Sequence, residues 1–107
     1  MDEWLDFAEL VDRTHDLVDL GLYEDARELL DTHGQLYQDK WEIPFLYSRL
    51  YLEQERPRQA LPHLQRGLRL NRSSLDCLMG LFYAYSQLGR LQHAGRCLGR
   101  AARYHPR

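Results

Sequence analysis

The chain repeats itself every 34 residues. Displacing the sequence by that interval brings Ala26, Ala60 and Ala94 into register, and does the same for Leu30, Leu64 and Leu98 and for Leu17, Tyr51 and Tyr85. Gly21 falls on Gly89, Val11 on Phe45 and Met79, and Tyr23 on Pro57 and Leu91. A period of this length holds one supersecondary unit, which cannot bury its apolar face alone and gains a continuous core only by stacking on its neighbours. The 107 residues hold three periods, so the reading is one domain, 1–107, with repeats at about 7–40, 41–74 and 75–107.

Each unit reads as two helices. In the third, Leu78, Leu81, Phe82, Tyr85 and Leu88 recur at spacings of three and four, the mark of a helix with one buried face. Ser73, three residues before Asp76, is the expected amino-terminal cap. Gly89 breaks that helix, and Leu91, Ala94, Leu98, Ala101 and Tyr104 resume the pattern up to Pro106. In the second unit Pro44 and Pro57 each fall in a first turn, where a missing amide is tolerated. Pro62 lies deeper and is expected to clash with the Arg58 carbonyl and bend the helix. The second helix of the first unit is expected to stop near His33-Gly34, with residues 35–40 as a loop before Trp41.

Composition narrows the class. No stretch approaches the roughly 18 unbroken apolar residues of a membrane span. The opening Met1-Asp2-Glu3-Trp4 is acidic where a secretory leader carries lysine or arginine, so a cytoplasmic location is expected. Cys77 and Cys97 match no disulfide framework or zinc spacing and read as reduced, small apolar residues in helices. His93 and Cys97 lie four apart, but two ligands do not make a metal site. With no phosphate-binding glycine loop, nucleophile elbow or metalloprotease motif, neither an enzyme nor a cofactor is expected.

Charge is divided along the chain. Residues 1–53 hold fourteen Asp and Glu against four Lys and Arg; residues 54–107 hold two against ten arginines. The halves balance to a net −2, which with no lysine-rich or aromatic–basic patch argues against nucleic acid. Opposite ends of opposite charge allow head-to-tail association into a homo-oligomer, or steering of two partners to two ends.

The run Leu78-Met-Gly-Leu-Phe-Tyr-Ala-Tyr85, followed by Leu88-Gly89-Arg-Leu91, Ala94, Leu98, Ala101 and Pro106, resembles a tetratricopeptide repeat, as does Gly21-Leu-Tyr23-Glu-Asp-Ala26. Weaker versions extend the likeness over residues 7–107; Phe82 and Arg72 depart from the family pattern. The resemblance implies an all-α, right-handed solenoid of three helix-turn-helix repeats, whose first helices line a concave groove. By register and by that resemblance, the groove residues are Val11, His15, Val18 and Asp19, then Phe45, Arg49, Leu52 and Glu53, then Met79, Tyr83, Ser86 and Gln87. The columns with which one subgroup grips a terminal carboxylate carry Val11, His15, Leu46, Asp76 and Gly80 here, so no carboxylate clamp is expected. The apolar track that remains suits an amphipathic helix or extended peptide of another protein.

A second surface stands out on the last helix. Gly95, Gly99 and Ala102 form a small-residue stripe, with Arg96, Arg100, Arg103 and Arg107 beside it. Glycine costs a helix about 1 kcal/mol against alanine, so this face is a candidate for docking a partner helix or a second copy. The functional expectation is a protein-binding adaptor or chaperone, similar in size and repeat number to small chaperones of type III secretion. The alternatives are a self-associating scaffold joining an acidic amino-terminal and a basic carboxy-terminal face, and a regulatory domain detached from an enzyme or a nucleic-acid-binding protein.

Overall fold

The computed structural model describes residues 4–106; the acidic start at Met1, Asp2 and Glu3, and Arg107, lie outside the described residues. Every regular element described is helical: α1 (Phe7–Asp19), α2 (Tyr23–His33), α3 (Glu42–Glu53), α4 (Pro57–Leu70), α5 (Leu75–Gln87) and α6 (Leu91–Tyr104), with a 3-10 turn over Gly34–Tyr37. Each odd helix packs on the even helix after it, while α1 also meets α3, α3 meets α5 and α4 meets α5. The array measures 49 × 25 × 22 Å. No helix among the described residues is long and apolar enough to cross a membrane.

The sequence period reappears as hydrogen bonds. Between α1 and α2 the amide of Leu22 bonds to the carbonyl of Leu17 at 2.9 Å; Arg56 repeats the bond to Tyr51 at 2.8 Å, and Arg90 to Tyr85 at 2.9 Å. This six-to-one closure needs a left-handed residue just before the donor. Gly21 (φ 78°) and Gly89 (φ 76°) supply it without steric cost, and Glu55 (φ 59°) takes the same position in the middle turn.

Local caps explain where the remaining elements begin. Asp6 opens α1 by accepting from the Glu9 amide at 2.8 Å. Ser74, not Ser73, caps α5, its hydroxyl accepting from the Cys77 amide at 3.2 Å. Ser73 instead donates to the Asn71 side chain, which draws it into the turn before the helix. The expected loop at 35–40 is partly ordered: Gly34 keeps a right-handed backbone (φ −71°), so the chain tightens into the 3-10 turn instead of swinging away. Helix α4 runs unbroken through Pro62. That residue lies on the exposed side, where water can satisfy the carbonyl its missing amide leaves free.

Two buried clusters fill the array. Leu10, Val18, Ala26, Leu30, Ile43, Leu46 and Leu50 join α1, α2 and α3. Ala60, Leu64, Leu68, Cys77, Leu78, Leu81, Ala84, Cys97 and Ala101 join α4, α5 and α6. Each fully buried leucine contributes roughly 1.5–3 kcal/mol. Gly67 and Gly80 let α4 and α5 approach closely: a Cβ at Gly67 would stand 2.7 Å from Cys77 Sγ, and one at Gly80 would stand 2.6 Å from Leu64 Cδ2. Both cysteines are free and buried, and burial pushes both thiols up.

Candidate functional site

Helix α1 meets α3 and α3 meets α5, so successive first helices share a face. Between α3 and α5 this face opens into a cleft of about 540 Å³. Phe45 and Leu52 from α3 form its half-buried floor, packed on the α4–α6 cluster. Met79 and Tyr83 from α5 stand in it 38% and 50% exposed, more than a core would leave them. Gly80 also lines it.

The rim is acidic. Glu53 ends α3, Glu55 stands in the left-handed turn that follows, and Asp76 comes from the first turn of α5. Against these three carboxylates the cleft has one cation, Arg49, and that cation is already engaged. Its guanidinium bonds to the Asp19 carboxylate and donates from Nη1 to Nδ1 of His15 at 2.7 Å. Since arginine only donates, His15 must accept there in its neutral form. Burial first, and the Arg49 charge second, hold this imidazole below the usual histidine range. A field dominated by carboxylates that form no ion pair among the described residues, over an apolar floor, attracts cationic, apolar chain.

Of the residues expected in a groove, Phe45, Arg49, Leu52, Glu53, Met79 and Tyr83 line this cleft. His15 reaches it only through Arg49. Val11 is half-buried against the α1–α3 cluster, to one side. Val18 is a correction: at 2% exposure it lies inside that cluster, because Leu10, Thr14 and Val18 share the face of α1 turned to α2 and α3. Glu55 was missed by register reasoning, although its column, between Gly21 and Gly89, carried the signal.

The last-helix surface divides. A Cβ at Gly95 or Gly99 would meet nothing within 4 Å, and Ala102 and Arg103 are exposed, so no chain among the described residues approaches the glycines. Arg96 and Arg100 turn instead into a separate cleft between α4 and α6. Among the described residues no three His, Cys, Asp or Glu side chains gather as a metal site. No family model, curated protein or solved structure matches the chain.

Proposed function

We propose that the chain is a non-catalytic protein-binding module, a three-repeat array of the tetratricopeptide kind, whose α3–α5 cleft holds a partner segment with apolar anchors flanked by lysine or arginine. The observation that carries this reading is Glu55. The two equivalent turns use glycine, whereas here a glutamate occupies a left-handed backbone that costs an L-residue about 1–2 kcal/mol. Such strain concentrates at binding positions, and Glu55 is one of the residues lining the cleft. An amphipathic helix or extended segment would set its anchors on Phe45, Leu52, Met79 and Tyr83, each worth roughly 1.5–3 kcal/mol before ordering costs, with its cations near Glu53, Glu55 and Asp76. A keeper or carrier of such a segment, in the manner of a chaperone, would need no more than this.

The test is fluorescence anisotropy with two labelled amphipathic peptides of equal apolar content, one leucine–lysine and one leucine–glutamate. The lysine peptide binds, more weakly as salt rises, and Glu53→Lys with Asp76→Lys weakens it at least tenfold. Equal binding of the two peptides would refute the proposal.

A further inference from the structure

The cleft between α4 and α6, about 430 Å³, has the opposite chemistry. Arg69 lines it from the end of α4, Arg72 from the turn that follows, and Arg96 and Arg100 from α6. No acidic side chain lines it, and none of the four arginines is in an ion pair among the described residues. Four guanidinium groups thus line one cleft with no counter-charge among the described residues, and like charges repel one another. His105 donates from Nε2 to the Ser73 carbonyl at 2.6 Å, tying the end of α6 to the turn that carries Arg72.

The floor is apolar, made by Leu68, Leu81 and Cys97, all buried. At the end away from Arg100 stand the rings of Tyr85 and His93, with centroids 5.0 Å apart. From His93 to Arg100 the wall is about 10 Å long at the rise of an α-helix. We propose that this cleft binds a phosphorylated ligand, with phosphoryl oxygens among Arg69, Arg72, Arg96 and Arg100 and carbon skeleton over the floor toward Tyr85 and His93. A phosphoryl group brings about −1.5 to −2 charge and three acceptor oxygens, which the planar guanidinium fork takes in pairs. A single carboxylate leaves most of the positive charge unmatched.

The experiment titrates the full chain at constant ionic strength with sodium pyrophosphate and, separately, with a phosphoserine peptide, following arginine Nε–H and backbone amide resonances. Saturable shifts centred on Arg69, Arg72, Arg96 and Arg100 are expected. Binding should weaken at least tenfold in Arg96→Gln/Arg100→Gln and in Arg69→Gln/Arg72→Gln. It should be unchanged in Arg56→Gln/Arg58→Gln, which removes equal charge outside the cleft. Tighter binding of pyrophosphate assigns a free phosphorylated metabolite, and tighter binding of the peptide assigns a phosphorylated side chain; either supports the site. Absence of saturable shifts with both probes overturns it, as does equal weakening in all three variants. Salt-sensitive self-association abolished by the cleft substitutions, with both probes silent, also overturns it.

Discussion

Arg49 donates to His15 across the α1–α3 interface at 2.7 Å, and the two residues are 34 positions apart, one full period. Equivalent positions of successive repeats thus touch, and Asp19 takes the other arm of the same guanidinium. Arg49 is 25% exposed against 60% for Asp19, so the bond to His15 is the better protected of the two. Replacing Arg49 by methionine keeps the stem and removes both bonds. The expected loss is about 1–2 kcal/mol, read as a lower urea midpoint with an unchanged slope.

Acidification should destabilise the fold before its carboxylates titrate. His15 and His63 both hold folded-state pKa values below the ordinary 6.5, His63 chiefly through burial and then through the charge of Arg66. As pH falls through about 6.5 the unfolded chain takes up protons that the folded chain refuses, so stability is full above that value and declines below it. His63 stacks on Tyr47 and Tyr51 with centroids at 5.3 and 5.5 Å. His63→Phe keeps a ring in that place and removes the titration. Urea midpoints measured between pH 7.5 and about 5 should fall less steeply in the variant; identical slopes would refute the assignment.

Glu55→Gly should move stability and binding in opposite directions. Relieving the φ 59° backbone is expected to stabilise the chain by about 0.5–1 kcal/mol. Loss of the rim carboxylate should weaken a leucine–lysine peptide. Thermal denaturation and anisotropy on the same sample read both effects, and a fall in stability contradicts the strain.

The glycines separate into two kinds. Gly67→Ala sets a methyl 2.7 Å from Cys77 Sγ and 3.4 Å from the Trp41 carbonyl, a clash expected to cost about 1–3 kcal/mol. Gly95→Ala and Gly99→Ala enter open space on α6 and should each stabilise it by about 0.5–1 kcal/mol. Denaturant midpoints check both signs.

Much of the fold is legible in the 34-residue period because turn geometry and close packing both leave marks on residue type. Ala26, Ala60 and Ala94 are all buried, and Leu17, Tyr51 and Tyr85 accept the three equivalent turn bonds. Where neighbours differ, the columns part: Leu30 and Leu64 are buried, whereas Leu98 is 43% exposed, since α6 packs mainly on α5. Val18 was misplaced because a helix face is only about 100° wide, so one step in register moves a residue from groove to core. Gly67 and Gly80 gave no warning, because a glycine allowing two helices to meet and one tolerated in solvent look alike in sequence. The arginine cleft was half visible: Arg96 and Arg100 stood out on α6, while Arg69 on α4 and Arg72 in the turn after it join them only through packing of α4 beside α5.

The most direct measurement is of Met79. The chain has two methionines, so ¹³C-methyl labelling gives two resonances, one from within the α3–α5 cleft and one from the first residue. Titration with the leucine–lysine peptide should shift the Met79 methyl saturably. If the peptide binds while the Met79 resonance stays in place, the segment lies elsewhere and the cleft is not the binding site.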